Sequence, residues 1–291
     1  SAVHVRYLTA LGEIFLKPGK LYICATPIGN MEDITLRVLR TLKEVDYIAA
    51  EDTRHTLKLL NHYGINKPLV SYHQHNQQKR GGYIIELLER GHDIALVSDS
   101  GMPGISDPGT QLVAMARERD IPVTIVPGPT ACVSALVLSG LNAERFVFEG
   151  FLPKTKKVRE QRLGQLKEEE RTIVLYEAPH RLVATLEVLL DKLGNRKIAV
   201  VRELTKIYEE VLVMNLQDML LFFQQHPPKG EIVLVIEGFK AQDSKTRVWD
   251  VSVQDQVKQY MEEGLDKKEA IKRVAKERGL PKNQVYKMLI T

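Results

Sequence analysis

Cysteine is nearly missing. The 291 residues hold two, Cys24 and Cys132, each inside an apolar run. Two thiols so placed exclude a disulfide framework and read as buried free cysteines of a reducing compartment, the cytoplasm. No set of cysteines and histidines has metal-ligand spacing, so no metal is expected. His73 and His75 stand at i and i+2 without a third ligand, which favours a mobile substrate-touching loop over a metal site. No apolar run approaches the roughly 20 residues of a membrane helix, and the first residues lack the charged-then-apolar order of a secretory signal. Charge of one sign is scarce as well. Lys and Arg number 41 against 37 Asp and Glu, a net +4 that permits a nucleic-acid partner without requiring one.

What is present is ordinary for a globular chain, with 44% hydrophobic and 27% charged residues. The length exceeds what one core usually fills, so two or three domains are expected. Apolar runs recur at 21–25, 45–50, 94–97, 123–126, 146–148, 173–176, 198–201 and 232–236. Amphipathic helical patterns separate most of them. Continuous apolar strands alternating with helices predict α/β architecture with mainly parallel sheets. Eight strands are too many for one sheet in so short a domain, and the irregular spacing argues against a TIM barrel. The division expected is an extension over 1–19, one α/β domain over 20–142, a second over 143–240, a linker over 241–250 and a helical module over 251–291. Residues 1–19 have no clean period and read as a poorly ordered extension.

The chain is organised around residues 97–109, V-S-D-S-G-M-P-G-I-S-D-P-G. Three glycines, two prolines, two aspartates and three serines in thirteen residues exclude helix and strand, because glycine frees φ and proline removes a donor. The segment follows the buried run at 94–97 and precedes a helix, the place where open α/β sheets bind ligands. Asp99 stands at its strand tip with Ser100, Gly101, Met102 and Ile105 after it, suited to a polar or cationic ligand; an ordinary turn-rich loop is the plainer alternative.

Other strand tips carry similar loops. The first run ends in Thr26-Pro27-Ile28-Gly29-Asn30, and the second in Glu51-Asp52-Thr53-Arg54. Asp52 or Thr53 can serve there as an N-cap, and a carboxylate beside a guanidinium can also serve chemistry. Pro127-Gly128-Pro129-Thr130-Ala131 forms a third wall of the same cleft. In the second half, Tyr176-Glu177-Ala178-Pro179-His180-Arg181 and Arg202-Glu203-Leu204-Thr205-Lys206 each place an acid and a base after a buried run, and Lys229-Gly230-Glu231 makes a tight turn before the last one. Basic residues gather at Lys79-Arg80 and over 154–162, including Lys154, Lys156 and Lys157; a solvated helix face is the usual account of such a run. The end of the chain reads as three short helices with a glycine turn at Gly279. Lys282, Asn283, Gln284 and Lys287 on the third are types that contact phosphates and bases in a helix-turn-helix. A packing or dimerisation bundle fits the same pattern.

The motifs T-P-I-G-N, A-E-D-T-R, S-D-S-G-M-P-G-I-S-D-P-G, P-G-P-T-A, Y-E-A-P-H-R and K-G-E, in this order over about residues 20 to 240, resemble the tetrapyrrole methylase superfamily, and within it the branch that methylates ribosomal RNA. The helical tail is similar to that branch too. The resemblance implies two α/β domains with S-adenosylmethionine in the cleft between them, usually in a homodimer, and methylation of a cytidine ribose 2′-hydroxyl in the decoding region of 16S rRNA within the small ribosomal subunit. Carried over by position, it sets the cofactor against Pro27, Asp99, Ser100, Gly101, Met102, Ile105, Thr130, Ala131, Tyr176, Leu204 and Gly230. Corrin-methylating relatives often carry G-D-P where this chain has S-D-S, a departure that bears on Ser100 and, with a poorer first glycine loop, on Pro27. Glu51, Asp52 and Glu177 are candidates to take the hydroxyl proton, with Arg54 positioning a phosphate or hydroxyl. RNA contacts fall to Lys79, Arg80, Lys154, Lys156, Lys157, Lys282, Asn283 and Lys287. Two other readings stand beside this one: a C-methyltransferase acting on a tetrapyrrole, which would not need the tail, and a DNA-binding regulator whose α/β part senses a ligand, which would need a more basic third helix.

Overall fold

The computed structural model describes residues 5–9, 12–240, 252–278 and 282–289. The chain divides into two compact units, 1–238 and 239–291. Both large sheets belong to the first unit, and the expected linker 241–250 lies outside the described residues, as do the turn at Gly279 and Pro281.

The first unit opens with β1 (Val5–Thr9) and β2 (Gly12–Leu16), an antiparallel pair where the sequence predicts an extension without regular structure. Then come β3 (Leu21–Cys24), α1 (Leu36–Glu44), β4 (Tyr47–Ala50), α2 (Thr53–His62), β5 (Leu69–Ser71), α3 (Gln77–Glu89), β6 (Ile94–Val97), α4 (Gly109–Glu118) and β7 (Val123–Val126). The strands form a wholly parallel sheet in the order β5-β4-β6-β3-β7. Its faces are covered on both sides, which is why β6 is buried at every position. Val38 and Leu42 of α1 and Leu60 of α2 pack on one face, and Ile84, Leu88 and Leu112 of α3 and α4 on the other. Local chemistry starts the helices where the strands end. Thr35 caps α1 by accepting from Val38 N at 3.1 Å, and Asp52 caps α2 by accepting from Arg54 N at 2.9 Å.

Next follow α5 (Ala131–Leu138), β8 (Phe146–Phe151), α6 (Lys156–Leu166), β9 (Thr172–Glu177), α7 (Leu182–Leu193), β10 (Lys197–Arg202), β11 (Glu210–Asn215), α8 (Leu216–Gln225) and β12 (Ile232–Ile236). The second sheet runs β11-β10-β12-β9-β8. Here the expectation of parallel pairing holds only for β8 with β9; the other three pairings are antiparallel. The reason is in the burial. Helices α6, α7 and α8 cover one face, and α5 covers the other with Cys132, Ala135 and Leu136 against Val174, Ala199 and Val235. A strand buried on both faces reads as continuously apolar whichever way its neighbour runs. Although α5 precedes the expected boundary at 142, it packs on the second sheet, and Ile28 from the loop after β3 joins the same cluster. The two halves therefore share a core at the point where they meet. Both thiols are buried, and loss of solvation pushes Cys24 up to about 12 and Cys132 up to about 11.

The second unit holds α9 (Val253–Glu262), α10 (Lys267–Arg278) and α11 (Lys282–Met288) around Val257, Ala270, Val274 and Val285. Ser252 caps α9 by accepting from Asp255 N at 3.0 Å, and Asp266 accepts from Glu269 N at 2.8 Å at the start of α10.

Candidate functional site

The loop after β6 is fastened to the loop after β3. Thr26 and Gly101 exchange two backbone hydrogen bonds, of 2.9 and 3.1 Å, and the Thr26 hydroxyl donates to the Ser98 carbonyl at 3.1 Å. The Ser98 hydroxyl lies between the carbonyls of Ser100 and Gly101 at 3.2 and 3.1 Å. Gly101 sits at φ +78°, a conformation glycine takes without cost, so this bridge needs that residue. Asp107 closes the far end by accepting from Gly104 N and Gly109 N at 2.7 and 2.8 Å.

On the opposite side, two loops of the second half are drawn together by charge. The Glu203 Oε1 accepts from Lys206 Nζ and from Glu231 N, both at 2.9 Å, and Lys206 Nζ lies 3.1 Å from Glu231 Oε2. Burial raises the Glu203 pKa, but the Glu231 N–H and Lys206 outweigh it and hold the carboxyl below its ordinary value. Burial likewise lowers Lys206, and the two carboxylates outweigh it and keep the ammonium charged. Gly230, at φ +84°, is indispensable to this arrangement, since a Cβ there would fall 2.1 Å from Glu203 Oε1. Gly29 is equally constrained, with the Leu204 carbonyl and Lys206 Cγ 2.7 Å from where its Cβ would be.

Between these walls lie two adjoining cavities. The first, of about 370 Å³, is bounded by Ser100, Gly101, Met102 and Ile105, by Thr130 and Ala131, and by Tyr176, Leu204 and Gly230. Nine of the eleven residues expected against a cofactor thus converge on it. Its walls are mainly apolar, with Ile28, Phe151, Val201 and Val233 added. The Tyr176 ring packs edge-on to Phe148 and Phe151 at 4.9 and 5.7 Å between centroids, and burial pushes its phenol up to about 12, so it stays neutral. The second cavity, of about 430 Å³, takes in the other two, Pro27 and Asp99, with Thr26, Met31, His55, Ser98 and Lys206. Ile28, Ser100 and Glu231 line both. The sequence reading missed Ile28 and Glu231 as site residues; each lies inside a motif it quoted, T-P-I-G-N and K-G-E.

The acids expected to take a proton are placed unequally. Asp52 is engaged with Arg54, whose Nε and Nη2 donate to it at 3.2 and 3.0 Å, and this pairing draws its carboxyl down to about 2. Such a carboxylate is a poor base. Arg54 itself is almost wholly exposed. Glu177 is buried and committed: Oε2 accepts from the Thr185 hydroxyl at 2.5 Å, Oε1 from its neighbour Ala178 N at 2.7 Å, and Arg181 Nε lies 3.6 Å from Oε1. Glu51 is half-buried, and its pKa is raised by burial first and then by Asp99 and Asp107. Asp99 borders the second cavity directly, with Oδ1 accepting from Asp52 N at 3.0 Å and no protein partner at Oδ2 among the described residues.

Of the basic residues, Lys79 and Arg80 are exposed in the first turn of α3, while Lys154, Lys156 and Lys157 are exposed at the start of α6. No acid occupies the first turn of α6, so its lysines add to the positive end of the helix dipole. Arg162 is spent on a bidentate pair with Glu149 at 2.6 and 2.5 Å. In the second unit Lys282 and Asn283 are exposed, and Lys287 belongs to the same α11. No group of three or more metal-ligating side chains occurs among the described residues.

The model for Tetrapyrrole (Corrin/Porphyrin) Methylases matches residues 20–220. The chain is 49% identical over 270 residues to "Ribosomal RNA small subunit methyltransferase I" of Halalkalibacterium halodurans, covering 92% of this chain and 93% of that one. A protein of the same name from Synechocystis is 48% identical, covering 93% and 97%. A third, from Thermotoga maritima, is 48% identical over 220 residues that make up 76% of this chain and 99% of that one, so a protein so named is about a quarter shorter. Among solved structures, uroporphyrin-III-C-methyltransferase from Thermus thermophilus superposes with a TM-score of 0.55 at 23% identity, over 75% of this chain and 94% of that one. Diphthine synthase does so at 0.58 and 14%, over 75% and 89%. These two likenesses concern the fold.

Proposed function

The chain belongs to the tetrapyrrole methylase family and, within it, to the ribosomal RNA small subunit methyltransferases I, and we propose from that premise that it methylates the rRNA of the small ribosomal subunit with S-adenosylmethionine as donor. The atom we assign is the ribose 2′-hydroxyl of a cytidine in the decoding region of 16S rRNA. The observation that carries the reading is the pair of cavities with a common wall at Ile28, Ser100 and Glu231. Methyl transfer is an in-line displacement, so the acceptor oxygen must reach the methyl carbon directly, from the side opposite the sulfur, where the two cavities adjoin.

The first cavity fits the donor. It offers a mainly apolar slot with Tyr176 and Leu204 for an adenosine, and the backbone of Gly230 on its wall. When bound, the sulfonium supplies an already electrophilic methyl carbon. The chain's task is then to aim the acceptor oxygen, exclude water and accommodate the hydroxyl proton. Asp99 is the carboxylate we assign to that proton, because it borders the acceptor cavity with one oxygen held by Asp52 and the other without a protein partner among the described residues. Glu51 stands beside it, and its own carboxyl is raised by burial first and then by Asp99 and Asp107. Glu177 and Asp52 serve structure in this reading.

RNA is held by Lys79 and Arg80, by the start of α6 and by the second unit as a helix-turn-helix. The protein acts in the cytoplasm as a homodimer, for which the exposed Val133, Val137 and Leu138 on α5 offer an apolar contact. The test uses small ribosomal subunits from cells lacking the protein, incubated with labelled S-adenosylmethionine and mapped by nuclease digestion and mass spectrometry. Label on one cytidine ribose is expected. Label on a corrinoid precursor with none on the subunit would move the protein to the tetrapyrrole branch.

A further inference from the structure

The loop that joins β10 to β11 presents two large apolar side chains to water, Ile207 at 94% and Tyr208 at 81% exposure. No other large hydrophobic side chain among the described residues is as exposed as Ile207, and these two are adjacent. Their position is fixed from below. Lys206, the residue before them, lines the second cavity and is stitched to Glu203 and Glu231. Glu203 and Thr205 both adopt left-handed backbone at φ +50° and +65°, which non-glycine residues do at a cost. Thr205 N donates to Glu209 Oε2 at 2.7 Å, and Glu209 N to the Lys206 carbonyl at 3.1 Å, closing the loop on itself. A strained loop this heavily braced holds its outward residues in one place.

The bracing also decides what kind of contact the loop offers. Its only cation, Lys206, has both neighbouring carboxylates as partners, so the loop has no charge left for a phosphate. What it offers is a ring and a branched aliphatic side chain, one and two residues from the acceptor cavity. Unpaired bases are recognised by stacking on aromatic faces, and a nucleotide whose ribose reaches a buried hydroxyl acceptor site must leave its neighbours unstacked. We propose that Ile207 and Tyr208 form a platform that receives an RNA base flanking the target nucleotide. This rests on the reading that the second cavity takes a ribonucleotide, and it adds the residues that grip the strand outside it.

The experiment compares wild type with Ile207→Ala/Tyr208→Ala and with Tyr208→Trp. It measures KM for small ribosomal subunits, affinity for a single-stranded RNA oligonucleotide, S-adenosylmethionine affinity by calorimetry, and sedimentation velocity. The double alanine variant is expected to weaken RNA affinity and raise KM about tenfold, with cofactor affinity and sedimentation unchanged. Tyr208→Trp is expected to keep both RNA quantities within about twofold of wild type, since it preserves the stacking face. Unchanged RNA affinity in the double variant, or a changed sedimentation coefficient marking the loop as a contact between copies, overturns the proposal. If wild type binds RNA through Tyr208 yet methylates no subunit, the functional reading falls and the platform stands. If it methylates and the alanines do nothing, the reverse holds, and absence of all RNA binding removes both.

Discussion

The backbone N–H of Asp52 donates to Oδ1 of Asp99 at 3.0 Å, so the tips of β4 and β6 are tied together by the very carboxylate that borders the second cavity. Asp99→Asn keeps an oxygen for that bond and removes the proton acceptor. The expected outcome is a fall in kcat of about 100-fold, with thermal stability and cofactor affinity near wild type. Retained kcat would return the proton to solvent.

Glu177 is expected to behave as structure. Its side chain is 1% exposed and holds Thr185 and Arg181. Glu177→Ala should cost about 3 kcal/mol, because it leaves buried partners unpaired. Glu177→Gln should keep transfer within about threefold while costing about 1–2 kcal/mol. Chemical denaturation beside single-turnover rates checks both, and a stable Gln variant without transfer would make Glu177 the proton acceptor.

Glu51 sets a pH dependence opposite to that of Asp52. Its folded pKa is raised, so the native state keeps a proton that the unfolded chain has already released, and stability falls as pH rises through that window. Glu51→Gln should therefore raise the melting temperature at pH 7 by roughly 2 °C and give no gain at about pH 3.5, where both states are protonated. Asp52, drawn down to about 2 by Arg54, stabilises above its unfolded pKa and loses that contribution as the medium acidifies through its folded value. Melting curves of Glu51→Gln and Asp52→Asn across pH distinguish the signs.

At Gly230 the expectation is steric. Alanine would have to adopt φ +84° and displace the Glu203 carboxylate. A loss of at least about 2 kcal/mol follows from the backbone and the broken bonds, and cofactor affinity should drop about tenfold. Calorimetry and melting measure the two effects separately.

Removal of residues 239–291 should leave the first unit folded, since its core clusters and both cavities lie within 1–238. Cofactor affinity is expected within about twofold of the full chain. If the second unit grips RNA, KM for subunits should rise about tenfold and the salt dependence should flatten.

The site was legible where composition had to be unusual. A loop such as 97–109 cannot be helix or strand, and the resemblance it anchors placed nine residues around one cavity. The direction of β10 and β12 was not legible, because doubly buried strands carry no alternation to read. β5 escaped notice with only three residues, and β11 because it is a half-exposed edge strand without a continuous apolar run. The fate of the acids was hidden for another reason. Glu203 and Glu231 are 28 residues apart, and only the antiparallel register that pairs Arg202 with Ile232 brings the two loops to one lysine. Asp99 and Asp52 are separated by 47 residues and meet through neighbouring strands.

The two quiet thiols turn the molecule into its own stopwatch. Cys24 is sealed within β3 of the parallel sheet and Cys132 on α5 against the mixed one, each too protonated and too enclosed to meet an alkylating reagent while its half stays shut. Each therefore alkylates only as fast as its own sheet opens. Peptide-resolved labelling at the two positions would time the halves separately, with nothing added to the chain, and would show which of them donor binding slows.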